Sequence, residues 1–357
     1  MAAPDPGEEE RVEIDGASHS GSGTIVRTCV AYAALTGRAV HLVRMRARRP
    51  RPGLRRQHLR AVTAVRELVG GELTGAGLGS RELTFVPGPR RPAGPYRFDI
   101  GSAGSVTALA TALLPVLTRA SAPVEIELRG GLFQDHAPTA LHLQHVLLRT
   151  LTEMGLDAVA TIERPGYVPS GEGVLRLAVG PSEGSLRPLV REEAAPVERI
   201  WGIALASHLV ERRVATRMAE TARAVLAAAG YDADIETRED TTATQAGAAL
   251  ALFADLRGGA RLGADMAGAR GRPAERIGRE VATRLLEDLG RGATVDRFAA
   301  DQLVPFAAIA AGETRLRVPV VTEHLTTACW LAGAFLPVEA RLDDGLLVVE
   351  GCGSPGW

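Results

Sequence analysis

The chain of 357 residues contains no lysine; all 41 of its basic residues are arginine. That absence excludes a P-loop lysine, a Schiff-base lysine and a lysyl-adenylate, so any covalent nucleotide chemistry needs another nucleophile. Aromatic residues make up only 4% of the chain, too few for a platform on which successive single-stranded bases stack. The three cysteines, Cys29, Cys329 and Cys352, lack metal-ligand spacing, which predicts reduced thiols and a cytoplasmic protein. Met1 to Glu10 is proline-rich and acidic. It lacks a signal-peptide pattern and is expected to be a disordered tail. The longest uncharged run, Ile100 to Thr118, contains Gly101, Gly104, Thr111 and Pro115. It predicts a buried helix of a soluble body and no membrane span.

What the chain does have is an uneven distribution of cations. Its net charge is −1, yet eight arginines and no acidic residue fall between Arg44 and Arg60. Cations this crowded repel one another unless anions sit among them. The guanidinium fork fits phosphate oxygens. Pro50, Pro52 and Gly53 mark a turn before a helix expected over Leu54 to Val69, and Gln57 and His58 add neutral donors at its start. The cluster therefore points to a phosphate or nucleic-acid site rather than to a solvated loop. Upstream, Gly16 to Gly23 is a loop of mostly small residues between a short strand (Val12 to Asp15) and a helix (Thr24 to Thr36). Such a loop can hold an anion with its backbone N–H groups, and Arg27 lies one turn inside the helix.

The order strand, helix, strand, loop, helix, strand, strand recurs. One copy runs from Val12 to Val86. A second runs from Tyr96 to Val179, with helices expected over Ser105–Leu117 and Pro138–Met154. A third can be read from the helix Phe298–Ala311 to the strand Leu346–Glu350. A period of ~80–90 residues is too long for a solenoid. It predicts an α/β (α+β) fold in which three βαβαββ repeats form one large domain, residues 11–183 and 274–357. Residues 184–273 do not fit the repeat and are expected to be a small inserted α/β domain, after which the helix Ala274–Leu289 leads back into the main body.

Several stretches carry a resemblance to a known family. Arg46-Ala47-Arg48-Arg49-Pro50-Arg51-Pro52-Gly53-Leu54-Arg55-Arg56-Gln57-His58-Leu59 resembles the R-A-x-R-x-x-P-G-L-x-x-Q-H-L segment of the RNA 3′-terminal phosphate cyclases. Ile100-Gly101-Ser102-Ala103-Gly104-Ser105 matches their I-G-S-A-G-S. Ala300-Asp301-Gln302-Leu303 and His324-Leu325-Thr326-Thr327 match their A-D-Q-L and H-L-x-T. The similarity covers about residues 11–350 and implies the same repeats-plus-insert architecture.

The resemblance implies an ATP-dependent conversion of an RNA 3′-phosphate end to a 2′,3′-cyclic phosphate through a histidyl-AMP, with His324 as nucleophile. It places Arg27, Arg46, Arg49 and Gln57 on the phosphates of ATP or the RNA end. It places Thr111, Pro138 and Phe298-Ala299-Ala300-Asp301-Gln302 around the adenine, where an aromatic ring and a proline can sandwich a purine. A divalent metal, Mg or Mn, is implied without identifiable ligands. The chain departs from the family at Ser20 (a glutamate that serves the metal), Thr24 and Thr111 (glutamines), Ala328 (an asparagine) and Leu132-Phe133 (Thr-Asp). These departures leave an alternative, an RNA-binding or assembly module on the same fold with weak or lost catalysis. The family has a ribosome-biogenesis branch of that kind, but it lacks the histidine retained here.

Overall fold

The computed structural model describes residues 11–135, 137–181 and 184–353; the tail expected over residues 1–10 lies outside them. The α/β class read from the sequence holds. Three four-stranded sheets share one plan. The first contains β1 (Val12–Asp15), β2 (Val40–Val43), β3 (Gly71–Thr74) and β4 (Leu83–Pro87), in the spatial order β1-β2-β4-β3. The second contains β5 (Gly94–Asp99), β6 (Val124–Gly130), β7 (Ala158–Arg164) and β8 (Gly173–Val179), in the order β5-β6-β8-β7. The third contains β9 (Val190–Arg191), β14 (Glu313–Arg317), β15 (Ala340–Asp343) and β16 (Leu346–Glu350), in the order β9-β14-β16-β15. In each, the first two strands pair in parallel and the last two form an antiparallel hairpin.

Parallel neighbours need a crossover, and helices supply it. Helix α1 (Gly23–Thr36) links β1 to β2, and α2 (Arg56–Val69) follows β2. Helix α3 (Val106–Leu117) links β5 to β6 and is buried along most of its length, as its uncharged run predicted. Among the described residues no helix is long and apolar enough to cross a membrane. The helix expected over Pro138–Met154 is α4 (Ala140–His142) and α5 (Leu148–Met154) joined by a π turn at Leu143–Leu147. In the third unit α8 (Ala299–Ala308) and α9 (Glu323–Phe335) take the helical places. Helix α1 packs against α2, α3 and α9, so the first and third units share one core.

The fourth sheet is spliced between β9 and α8. It contains β10 (Val197–Ser207), β11 (Ala233–Asp240), β12 (Gly247–Leu256) and β13 (Arg261–Ala267), in the different order β11-β10-β12-β13. Strand β12 explains why its sequence is apolar at nearly every position. Its Leu250, Leu252 and Ala254 join a second core under α6 (Val214–Ala228), whereas Ala249, Ala251 and Phe253 join the main one. A strand buried on both faces loses the polar alternation.

The helix after residue 273, α7 (Ala274–Gly290), packs on the inserted sheet and α6. Its Ile277, Val281 and Leu285 complete the second core beside Met218 and Ala222 of α6. These apolar positions recur at i, i+4 and i+8, the spacing of one helix face. That core reaches Ala293, beyond the expected segment 184–273.

Candidate active site

Two helix starts meet where the first and third units touch. Ser22 caps α1 by accepting the Thr24 N–H (3.2 Å), and Thr322 caps α9 by accepting the Leu325 N–H (3.1 Å). Such caps fix where each helix begins, and hence which side chains its first turn presents. The loop before α1 is tied to α9: Ser20 N–H donates to Thr327 Oγ1 (3.2 Å), and His19 stacks on Trp330 at 4.4 Å. Ser20, at the position of the implied metal-serving glutamate, is buried with its hydroxyl 3.0 Å from that of Ser22.

His324 lies in the first turn of α9 and is exposed. Its Nδ1 is 3.3 Å from Thr24 Oγ1, which also accepts from Arg27 Nη2 at 3.4 Å. One hydroxyl thus joins the imidazole to a guanidinium. The crowding of the ring by protein, and then the charges of Arg27 and Arg49, hold the imidazole below its ordinary pKa; Glu323 opposes them. Burial likewise lowers Arg27, to about 10, with Asp301 countering and Arg46 adding to the shift.

The arginine loop follows β2. Arg46 takes a positive φ of 55°, and its Nη1 donates to the carbonyls of Arg51 (2.8 Å) and Gly53 (2.6 Å). Gly53 is required here: its φ is 76°, and a Cβ would lie 2.2 Å from the Gly79 carbonyl. Gln57 Oε1 accepts the Ser105 N–H (3.0 Å), joining α2 to the glycine-serine loop of the second unit. His58, expected to offer a donor to an anion, is instead buried. Its Nδ1 accepts the Arg55 N–H (3.2 Å), and its Nε2 abuts Gly23, where a Cβ would come within 2.1 Å. Burial, and then Arg27, Arg46 and Arg55, push its pKa down to about 2, so it packs as a neutral ring.

Of the residues expected around the adenine, Phe298 to Gln302 form the start of α8. Phe298 is half-buried and meets the His142 ring edge-on at 5.8 Å. Ala299 and Ala300 are buried, and Asp301 and Gln302 are half-buried. Pro138 is held by its carbonyl, which accepts from Thr107 Oγ1 (2.8 Å). The Thr111 hydroxyl bonds back to the Ala108 carbonyl (3.1 Å) on its own helix.

Sequence reasoning missed the group beneath the start of α8. Asp296 is fully buried. It accepts from the N–H groups of Phe298 (2.8 Å), Ala299 (2.9 Å) and Gly263 (2.9 Å) and lies 3.0 Å from His142 Nε2. Burial alone would raise this carboxyl; the His142 charge and these N–H donors hold it below its usual range. Asp265, also buried, accepts the Thr139 N–H (2.5 Å). An aspartate just before an apolar helical run was the available signal. Among the described residues no group of three or more His, Cys, Asp or Glu side chains is placed to hold a metal ion, so the donor set makes no resident metal cage.

Asp301 has a testable pH signature. Burial is the largest effect and Asp296 adds to it; with Arg27 opposing, the carboxyl rises to about 7. Between the unfolded value near 3.8 and about 7 the folded state keeps a proton that the unfolded state releases, so stability falls as pH rises through that window. Asp301→Asn should remove this loss. Its stability relative to the parent is expected to improve by on the order of 1 kcal/mol between about pH 4.5 and about pH 7.5 in urea titrations. Parallel pH curves for the two proteins would contradict it.

The family model for RNA 3′-terminal phosphate cyclase matches residues 18–342. The chain belongs to the RNA 3′-terminal phosphate cyclase family. A relative from Thermococcus onnurineus bearing that name is 41% identical over 326 residues, 91% of this chain and 93% of its own. One from Hyperthermus butylicus is 40% identical over 322 residues, covering 88% and 89%. One from Pyrococcus furiosus is 37% identical over 322 residues, covering 90% and 92%. Family membership extends across both flanks of the inserted sheet, so it includes His324, the arginine loop and the start of α8.

Proposed function

We propose that the chain is an ATP-dependent RNA 3′-phosphate cyclase working through a covalent adenylate on His324. The observation that carries this reading is a solvent-facing imidazole, its pKa held below the ordinary value, joined through Thr24 to Arg27 at a helix start that favours anions. When Thr24 Oγ1 accepts from Nδ1–H, the Nε2 lone pair is left for attack. Nε2 then bonds to the α-phosphorus of ATP, the bond to pyrophosphate breaks, and the ring sheds its Nδ1 proton. An oxygen of the RNA 3′-phosphate next displaces the imidazole, breaking the P–N bond and leaving an RNA–AMP anhydride. The neighbouring 2′-OH attacks the RNA phosphorus, loses its proton and releases AMP, which closes the 2′,3′-cyclic phosphate.

In this reading Phe298 and Pro138 hold the adenine over Ala299 and Ala300, with Asp301 and Gln302 at its rim. Arg27, Arg46, Arg49 and Gln57 spread positive charge over the phosphates. Thr111, its hydroxyl turned back on its helix, offers the nucleotide only an apolar surface. A divalent Mg or Mn ion would enter on the triphosphate. Thr24 stands where the family has glutamine, and its short hydroxyl reaches His324 and Arg27 together. The test is incubation with ATP labelled at the α-phosphate and either metal. Acid-labile, base-stable label on the protein, and cyclisation of an RNA ending in 3′-phosphate, support the reading. A folded protein that never takes label would favour the RNA-binding module.

The loop geometry separates two arginines. Arg49 is exposed, whereas Arg46 also anchors the loop backbone. Arg49→Ala is expected to weaken binding of a 3′-phosphate oligonucleotide by about 10–100-fold, the value of charge-assisted hydrogen bonds, without lowering the melting temperature. Arg46→Ala should show the same loss together with a lower melting temperature. Unchanged affinity in both variants would make the loop a solvated surface.

A further inference from the structure

A cleft of about 540 Å³ opens beside the arginine loop, between the first and second units. Its walls are Arg46, Arg55 and Arg56, the exposed Leu78, the backbone at Gly79, and Ser102 with Gly104 of the second unit. The volume suits a small-molecule or nucleotide site. Three arginines and no carboxylate line it. The adenine pocket expected at α8 uses none of these residues.

The cleft has built walls. Leu54 N–H donates to the Ser80 carbonyl (2.9 Å) and Gly79 N–H to the Leu54 carbonyl (2.8 Å), which pins the Gly75–Ser80 loop onto the arginine loop. Leu78 is 63% exposed, an apolar side chain held at the cleft by that double bond. Opposite, Arg56 Nη1 donates to the Gly101 carbonyl (2.7 Å), and Gln57 holds Ser105. Arg27 and Arg49 act on His324, Arg46 acts on Arg27, and Arg55 and Arg49 act on Arg46. Arg46 thus lies on the cleft wall and among the charges felt by Arg27.

Resting on the cyclase reading, we infer that this cleft seats the penultimate nucleotide of the RNA, with Arg55 on its phosphodiester and Leu78 against its base. Arg46 borders both the loop that would hold a terminal phosphate and the cleft, so a strand ending at Arg46 and Arg49 can continue into the cleft. An aliphatic platform contacts the face of any base, so the subsite tolerates every sequence. Its charge adds to affinity in a salt-dependent way.

The test compares a mononucleoside 3′-phosphate with a trinucleotide ending in 3′-phosphate, by calorimetry on the full chain. The parent should bind the trinucleotide about 10–100-fold more tightly, the size of one apolar side-chain contact plus one phosphate contact. Leu78→Ser, at an exposed position, and Arg55→Ala should each shrink that ratio to about threefold or less. Arg55→Ala should also reduce the log–log salt slope for the trinucleotide by about 0.7. An undiminished ratio in both variants, or a parent with no gain from the longer strand, overturns the subsite. Labelling of the parent by ATP is read separately. A length gain that depends on Arg55 and Leu78, without labelling, upholds the subsite while rejecting the cyclase reading.

Discussion

Replacing His324 by alanine is expected to abolish labelling by ATP while leaving the protein folded. The side chain is exposed, its ring makes one hydrogen bond, to Thr24, and α9 keeps its Thr322 cap. Truncation therefore removes little packing. In the parent, peptide mapping should place AMP between Thr322 and Trp330. The pH dependence follows from the direction of the shift. Crowding by protein, Arg27 and Arg49 disfavour the imidazolium, so the reactive neutral ring persists to lower pH than in a free histidine. The half-point of labelling against pH should lie below the ordinary value of 6.5. Label that survives in His324→Ala, or that maps to another segment, would falsify the assignment.

The largest effect on stability is expected at Asp296. Asp296→Ala strips the partner from His142 Nε2 and from three N–H groups, those of Gly263, Phe298 and Ala299, in a fully buried setting. Breaking a buried pair by removing one partner costs about 3–5 kcal/mol. The donors left behind come from both sides of the junction: Gly263 from the inserted sheet, and Phe298 and Ala299 from the start of α8. Urea unfolding of Asp296→Ala should show an unfolding free energy lowered by that amount. Asp296→Asn, which retains an acceptor without the charge, should lose less. A variant as stable as the parent would mean that water replaces the carboxylate, and that the pair does not hold the junction.

The parts of this molecule legible in the sequence are those in which neighbours along the chain are neighbours in space. Crowded arginines and the turn at Gly53 marked the loop, and α1 and α2 lie within two residues of where they were expected. The two-residue β9 has too few positions to show any period, and the π turn at Leu143–Leu147 has no residue signal of its own. His142 and Asp296 are 154 residues apart, so nothing in their local sequence pairs them. His58 was visible as a polar residue beside Gln57. Its burial against Gly23 follows from a contact between two elements, which spacing along one helix does not encode. The packing of α7 on α6 is likewise a contact between two elements distant in the chain.

The splice point of the extra sheet bears on chain entropy. Leu189 and Thr314 hydrogen-bond across 125 residues, next to the pairing of β9 with β14. Bringing together the ends of so long a coil costs entropy that rises as the logarithm of its length. Here the ends of the intervening sheet already converge, because Thr294 Oγ1 donates to the Arg191 carbonyl at 2.7 Å. Once the sheet from β10 to α7 has folded on its own core, the connection between β9 and α8 behaves as a short tether of a few residues on either side. The third sheet then closes as though the intervening segment were a side branch, and a two-residue strand suffices to complete it.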